Sequence, residues 1–166
     1  MKRIFIFRKA HAAVILLCCL MAFSSAMAQQ MPRRNVLRET NNEFFKTEEA
    51  RRIGNQVLAF QRCTGGWPKN IDMTQKMSNE ELAQILKEKS RRDDSTIDNN
   101  ATTMQMIYLA RLYRQTKDVR YRDAFRLAVE YLLSGQYENG GWPQFWPEMR
   151  GYQVHITFND DAIVNT

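Results

Sequence analysis

An eight-residue segment occurs twice in this 166-residue chain and constrains its fold more than any other feature. Residues 61–68 read Gln-Arg-Cys-Thr-Gly-Gly-Trp-Pro, and residues 136–143, 75 positions later, read Gln-Tyr-Glu-Asn-Gly-Gly-Trp-Pro. Glycine accepts the left-handed backbone that ends a helix, and proline does not continue one. The repeat therefore predicts two equivalent loops that each follow a helix, with the tryptophan folded back as an apolar plug. The offset leaves room for two helices, so the repeating unit is predicted to be a helical hairpin with its loop.

Periodic apolar residues predict helices on both sides of these loops. Four stretches place apolar side chains on one helical face, and they start near Thr40, Ser78, Asn100 and Val119. The spacing of a capping box, in which a serine or threonine precedes a glutamate by three residues, occurs at Thr40 and again at Ser78. The buried face of the first helix is predicted to consist of Phe45, Ile53, Val57 and Phe60. The charged stretch 87–94 after the second helix is predicted to be solvated.

The fold class follows from what these helices leave out. No segment shows the alternation of apolar and polar residues that a half-buried strand requires, so an all-α fold is predicted. Helix pairs joined by loops with glutamine and tryptophan are typical of an α/α toroid, a ring of helical hairpins. Four helices and a fragment do not close such a ring, so the chain is predicted to be an incomplete toroid. This architecture serves polysaccharide-degrading enzymes and terpenoid cyclases alike, so it does not define the substrate.

The N-terminus has the pattern of an export signal. Four basic residues precede the apolar run Ala12 to Phe23, and Ala26-Met27-Ala28 supplies a small-x-small cleavage pattern. The run is shorter than the roughly 20 residues of a membrane-spanning helix. Residues 1–28 are therefore predicted to be a signal peptide and residues 29–40 a flexible lead-in. A secreted or periplasmic protein with no stable membrane anchor after cleavage is expected.

Removing residues 1–28 narrows the possible chemistry. The remainder has 20 Lys and Arg against 18 Asp and Glu and no basic cluster, which argues against a nucleic-acid partner. It contains one histidine, His155, and one cysteine, Cys63. A zinc site, an internal disulfide and a Ser-His-Asp or Cys-His triad are therefore not expected. What remains is chemistry carried by oxygen ligands.

Two acidic segments, residues 95–102 and 155–162, each lie at the start of a predicted helix. Capping of helix N-termini by Asp and Asn explains either segment alone. If a toroid brings the starts of alternate helices to one face, however, Asp98, Asn99 and Asp160 jointly offer hard oxygens to Ca²⁺. Four aromatic residues near the second repeated loop have the composition of a sugar-binding platform and equally of a buried loop: Trp142, Phe145, Trp146 and Tyr152.

Four segments in order, residues 65–70, 95–102, 140–145 and 155–162, resemble the signature blocks of family-10 pectate lyases. The resemblance implies an α/α toroid, a Ca²⁺ requirement and cleavage of polygalacturonate or pectin by β-elimination. It matches Asp98 and Asp160 to the calcium-coordinating aspartates, with Asn99 and Asp161 as further candidates. Asn100 stands where the family commonly has glycine, a departure that stiffens the loop and removes no ligand.

The same resemblance implies the remaining roles. The family's catalytic base is an arginine downstream of the Asn-Asp-Asp block, so it is expected beyond Thr166 and no catalytic residue is assigned. Residues 41–166 correspond to the N-terminal part of the catalytic domain, which is expected to be inactive alone and a monomer when complete. The candidate substrate-binding residues are Lys69, Trp142, Trp146 and His155. A solvated lysine, core tryptophans and a structural histidine are the alternative interpretations.

Two other functions remain open at this stage. A carbohydrate-binding remnant without catalysis also explains the aromatic loop. A terpenoid cyclase of the toroid type also explains the repeats of glutamine and tryptophan, but it fits an exported chain poorly. Glycan binding without an unsaturated product distinguishes the first alternative, and turnover of an isoprenoid substrate distinguishes the second.

Overall fold

The computed structural model describes residues 35–156 of the chain, which contain four α-helices, five short 3₁₀ turns and the loops between them. The helices are α1 (Glu48–Phe60), α2 (Asn79–Lys87), α3 (Thr103–Thr116) and α4 (Val119–Gly135). No β-strand forms within this range, where three isolated β-bridges join loops instead. No helix in residues 35–156 is both long enough and apolar enough to cross a membrane. The all-α prediction is confirmed, and the predicted signal peptide, residues 1–28, lies outside the described residues.

The prediction that the first helix starts at Thr40 is wrong. Residues Phe44–Lys46 form a single 3₁₀ turn, and α1 begins only after Thr47, whose Oγ1 accepts the Ala50 N–H at 3.2 Å. The predicted capping box fails because the Asn41 side chain accepts the Glu43 N–H at 3.0 Å, forming a local turn in place of a helix start. The predicted buried face is nevertheless right, since its four apolar residues are all buried.

The other three helices begin close to their predicted positions. Ser78 caps α2 in a full capping box, in which its Oγ accepts the Glu81 N–H at 3.2 Å and Glu81 accepts the Ser78 N–H at 2.7 Å. Asp118 caps α4 by accepting the Arg120 N–H at 3.0 Å. The third helix begins at Thr103, three residues later than predicted, because a 3₁₀ turn, Asp98–Asn100, precedes it. This turn carries the candidate metal ligands.

The core lies where α1 packs against α2, α3 and α4, and where α3 packs along α4. Its largest fully buried side chains include Trp67, Tyr108 and Tyr121, with Tyr108 donating its hydroxyl to the Ala50 carbonyl at 3.0 Å. Burial raises the pKa of the Tyr108 hydroxyl above its usual range, so this group stays a neutral hydrogen-bond donor. A second, smaller cluster of Ile97, Tyr131 and Trp146 lies under the second repeated loop.

The packed part of the chain begins earlier than the predicted boundary at residue 41. Residues Val36–Arg38 form a 3₁₀ turn that lies against α3, and Leu37 is buried in the main core. Arg111 of α3 donates to the Glu39 carbonyl and fixes the turn further. Residues 36–40 of the predicted lead-in are therefore anchored, because Leu37 is buried in the core and Val36 packs against it.

Candidate functional site

The first repeated loop follows α1, and the residues that it shares with the second loop hold it in place through hydrogen bonds. Gln61 leaves the helix in an extended conformation, and its side-chain amide donates to the Gly65 and Ala124 carbonyls at 2.8 and 2.9 Å. The Arg62 N–H donates to the Gly66 carbonyl at 3.0 Å, and Gly65 has a φ of +95°. Trp67 folds back so that its Nε1 donates to the Val57 carbonyl of α1 at 2.8 Å.

The second loop repeats these contacts at the end of α4. Gln136 donates to the Gly140 carbonyl at 3.2 Å, the Tyr137 N–H donates to the Gly141 carbonyl at 2.8 Å, and Gly140 has a φ of +85°. Trp142 donates from Nε1 to the Leu132 carbonyl at 2.8 Å, ten residues back as in the first loop. The repeat is thus structural. The expectation that the repeated glycines end the helices is wrong, because α1 ends at Phe60 and α4 at Gly135, each followed by the glutamine of the repeat, and the repeated glycines lie in the turn after it.

Two buried threonines join both loops to the turn that carries Asp98. Thr96 lies between the loops: its N–H donates to the Trp67 carbonyl at 3.1 Å, and its Oγ1 donates to the Gln144 carbonyl at 2.6 Å. Thr102 donates from Oγ1 to the Thr96 carbonyl at 2.8 Å and accepts the Trp67 N–H at 3.0 Å. The Thr96 Oγ1 also accepts the Asp98 N–H at 3.0 Å, so this hydroxyl positions the backbone of the candidate ligand.

The backbone around Asp98 is strained. Asn99, Asn100 and Thr102 have φ values of +53°, +60° and +64°, and Asn70 in the facing loop has +62°. Asparagine tolerates the left-handed region, which explains how Asn100 occupies the position where the resembling family commonly has glycine. The β-branched Thr102 combines its positive φ with a ψ of −56°, outside the left-handed helical region, and its two buried hydrogen bonds hold this unfavourable backbone in place. Strain of this kind concentrates at functional sites.

Lys69 and Asp98 form the charged centre of the site. Their side chains make an ion pair in which the Asp98 carboxylate is 5% exposed and the Lys69 side chain 32% exposed. The other Asp98 oxygen, Oδ1, accepts the Asn99 N–H at 3.0 Å. The Lys69 ammonium also lies 5.3 Å from the centre of the Phe145 ring, which brings the two repeated loops together at this point.

The donor chemistry at this centre fits a hard cation. Asn99, next to Asp98 in the chain, donates from Nδ2 to the Asn70 Oδ1 at 2.9 Å, so the turn offers carboxylate and amide oxygens, the ligand types that calcium prefers. Within residues 35–156, no group of three or more His, Cys, Asp or Glu side chains is close enough to hold a metal. Asp160 and Asp161, the other predicted ligands, lie outside the described residues.

The segment that leads to Asp98 is anchored by an ion pair that sequence analysis missed. Arg62, in the first repeated loop, points its guanidinium into the protein and donates from Nε and Nη2 to the Asp94 carboxylate at 3.0 and 2.7 Å. Its Nη2 also donates to Glu88 at 3.0 Å. No local spacing marks this pair because its members are 32 residues apart. The available signal for a special role of Arg62 was its position inside the repeat, where the second copy has Tyr137 instead.

The aromatic residues near the second loop, whose composition suits a sugar-binding platform and a buried loop equally, differ in their burial. Trp146 is buried, stacks on Tyr131 at a centroid distance of 4.1 Å and donates from Nε1 to the Tyr131 carbonyl at 2.8 Å. With 3% exposure, Trp146 fits the alternative interpretation of a core tryptophan. Trp142 is half-buried against the same cluster, and His155 lies at the surface directly after the last 3₁₀ turn, Gly151–Val154. Tyr152 is exposed.

Replacing Thr96 with valine tests the role of its hydroxyl. Valine has nearly the same shape but leaves the buried Asp98 N–H without its acceptor and removes one of two donors to the Gln144 carbonyl, which keeps the Ile97 N–H at 3.2 Å. We therefore expect a loss of about 1–3 kcal/mol in the free energy of unfolding. Thr96→Ser keeps the hydroxyl and is expected to cost less than about 1.5 kcal/mol. Urea unfolding followed by circular dichroism measures both. Equal losses in the two variants would show that the methyl group, and not the hydroxyl, matters.

The helical hairpins and the loops that meet at one end of them, around a buried carboxylate, define the class of fold. This arrangement is that of an α/α toroid. Two solved structures from Cellvibrio cellulosa are similar to the chain. One is a family 10 polysaccharide lyase, with a TM-score of 0.58, and the other is an aspartate-to-alanine mutant of such a lyase in complex with trigalacturonic acid, with a TM-score of 0.60. Each is 34% identical, and each comparison covers 75% of this chain and 36% of the other. The predicted toroid is thereby confirmed.

The family model for pectic acid lyase matches residues 61–166, more than half of the chain. The protein belongs to this family of polysaccharide lyases, as its signature segments predicted. The chain spans about a third of the length of the two solved lyases. No curated protein sequence matches it.

Proposed function

We propose that this chain is part of a pectate lyase that cleaves polygalacturonate by calcium-assisted β-elimination. The observation that carries the proposal is the buried Asp98 carboxylate, which lies with Lys69 at the junction of the repeated loops and within the segment that matches the family model. A similar solved structure is a complex with trigalacturonic acid, which supports an oligogalacturonate as the ligand. The family match also favours this activity over a terpenoid cyclase.

Asp98 and Asn99 are the proposed calcium ligands among the described residues, together with Asp160 and Asp161 from the segment that follows. Bound calcium supplies a positive charge that offsets the galacturonate carboxylate and the negative charge developing as the C5 proton leaves. The chain's own residues hold this geometry: Thr96 fixes the backbone of Asp98 at 3.0 Å, and the Asn99 N–H orients Oδ1 at 3.0 Å. None of the described residues is assigned as the base.

Lys69 is the proposed contact for a substrate carboxylate. Its ammonium is partly exposed and lies over the Phe145 ring, so it reaches solvent from a position beside the proposed metal ligand. Trp142 and His155 are proposed as contacts further along the same end of the hairpins, with Trp142 offering its half-buried ring. Trp146 supports this end from below through its stack on Tyr131.

Export is part of the proposal. Pectin and polygalacturonate are polymers that do not enter a cell intact, so a protein that acts on them works in the periplasm or outside. The basic residues, the apolar run and the Ala-Met-Ala pattern within residues 1–28 support cleavage after Ala28. Mass spectrometry of the protein secreted by its host tests the cleavage position.

Asp98→Asn is expected to weaken calcium-dependent binding of trigalacturonate by at least about 30-fold, because it removes the buried charge that holds the cation. Isothermal titration calorimetry of the chain with trigalacturonate, with calcium or with a chelator, measures the effect. Asp93→Asn is the matched control, since Asp93 is an exposed carboxylate five positions away that pairs with Arg91 at the surface. Calcium-dependent binding that is equal in the wild-type chain and the Asp98 variant would rule out Asp98 as a ligand.

A second measurement separates lyase activity from sugar binding alone. β-Elimination leaves a 4,5-unsaturated product that absorbs in the ultraviolet, so a lyase gives a rise in absorbance that a chelator stops. Because no base is assigned among the described residues, this chain is expected to bind trigalacturonate without forming product, whereas binding with no unsaturated product by the whole protein would favour carbohydrate binding alone. Absorbance that rises equally with the chelator would contradict the role of calcium.

A further inference from the structure

We propose that Lys69 is a built-in competitor of the metal: its ammonium neutralises Asp98 when no calcium is bound and must leave the carboxylate for calcium to bind. The inference rests on the proposed calcium site and adds a control on its affinity. Removing Lys69 should therefore strengthen calcium binding, whereas removing a residue that merely supports the site should weaken it.

The contacts of Asp98 carry the first step. Both carboxylate oxygens have a partner, since Oδ2 accepts from the Lys69 ammonium and Oδ1 accepts the Asn99 N–H at 3.0 Å. The carboxylate is 5% exposed, so water does little to solvate its charge. A buried carboxylate requires a compensating cation, and Lys69 is the cation that the described structure gives it.

The second step concerns two cations at one carboxylate. An ammonium and a calcium ion held by the same carboxylate lie within a few ångströms of each other, and their repulsion is weakly screened where water is excluded. Among the described residues, the other proposed ligand, Asn99, does not relieve this repulsion, because its amide oxygen is neutral. The two cations therefore bind Asp98 in competition.

The surroundings of Lys69 carry the third step, since a competitor needs somewhere to go. Its side chain is 32% exposed, and its ammonium already lies 5.3 Å from the centre of the Phe145 ring. A flexible four-carbon stem lets the ammonium move to the ring face or to solvent without a change in the backbone. In that released position Lys69 is available to the carboxylate of an oligogalacturonate.

The test is a calcium titration of the full chain followed by ¹H–¹⁵N nuclear magnetic resonance. The backbone N–H of Asn99 reports on the site directly because it donates to the Asp98 carboxylate. Lys69→Met is expected to lower the dissociation constant for calcium at least about tenfold. Lys69→Arg keeps a cation and is expected to stay near the wild-type value. Lys76→Met, which removes an exposed lysine before α2, controls for the loss of one positive charge.

Each outcome decides between the two proposals. Weaker or unchanged calcium binding by Lys69→Met, with normal binding by the wild-type chain, would overturn the competition and leave the calcium site standing. No calcium-dependent shift of Asn99 in any variant would overturn both. If Lys69→Met does not fold, the Lys69 side-chain signals of the wild-type chain give the answer: they should shift as calcium saturates the site, and signals that stay fixed would overturn the competition.

Discussion

Gly65→Ala is expected to lower the free energy of unfolding by about 2–5 kcal/mol, whereas Gly140→Ala, at the equivalent position of the second loop, is expected to cost about 1–2 kcal/mol. Both glycines have a positive φ, +95° and +85°, so both substitutions place an L-residue in an unfavourable conformation. They differ in what the new methyl group meets. At Gly65 a Cβ lies 2.2 Å from the Leu127 carbonyl oxygen of α4, and at Gly140 it meets no atom of residues 35–156 within 4 Å.

The cost at Gly65 cannot be relieved by a side-chain rotation. The clashing atom belongs to the backbone of α4, whose carbonyls are fixed by the helix, so either the loop or the helix must shift. A shift of the loop disturbs Trp67, which is fully buried in the core two residues later. Urea unfolding of the two variants, monitored by circular dichroism, compares the losses. Similar losses would show that the two loops are equally open and that backbone strain alone sets the cost.

This pair of glycines shows what the sequence predicts and what it does not. The repeat predicts two equivalent turns, and their hydrogen bonds are indeed equivalent. It does not predict that the α4 backbone lies against Gly65, because that depends on how the hairpins pack. The same division holds for the tryptophans: both fold back onto the preceding helix, but Trp67 is fully buried and Trp142 only half-buried.

Local hydrogen bonding decided which helix starts were predictable. At Ser78, which Asn79 follows, the capping box forms as the spacing predicts. Thr40 has the same spacing, but Asn41 next to it takes the Glu43 N–H for a turn. A pattern search sees the correct residue types at both places. It does not weigh an asparagine that makes a local turn against a threonine that begins a helix.

The candidate site was predictable in its residues but not in its pairings. Asp98, Asn99 and Lys69 were each singled out, yet the ion pair between Lys69 and Asp98 joins residues 29 positions apart. The aromatic residues show the same limit, since a cluster that is rich in tryptophan suits an exposed platform and a core equally. The burial of Trp146 depends on its stack with Tyr131, 15 residues earlier on α4.

Asp94→Ala is expected to cost about 3–5 kcal/mol because it leaves a buried guanidinium without its main partner. The Arg62 side chain is 1% exposed, and Asp94 is 17% exposed. After loss of Asp94, Glu88 is the remaining anion, and it accepts only from Arg62 Nη2. Arg62 Nη1 has no hydrogen-bond acceptor among the described residues. A second cation lies nearby, since the pKa of Lys89 is lowered first by burial and then by the charge of Arg62. Loss of Asp94 therefore concentrates unpaired positive charge under the first loop.

The opposite substitution should cost less, and this asymmetry is the sharper test. Arg62→Met removes the buried charge itself and leaves Asp94 near the surface, where Arg91 Nη1 lies 3.4 Å away. The double variant Arg62→Met/Asp94→Ala is therefore expected to be more stable than Asp94→Ala alone, as urea unfolding of all three will show. Asp123→Ala breaks an exposed pair with Arg122 and, as the control, should cost no more than about 1 kcal/mol. A double variant that is less stable than Asp94→Ala would mean that Arg62 stabilises the loop by packing rather than by charge. In that case, removing the guanidinium lowers the stability further even though its partner is already absent.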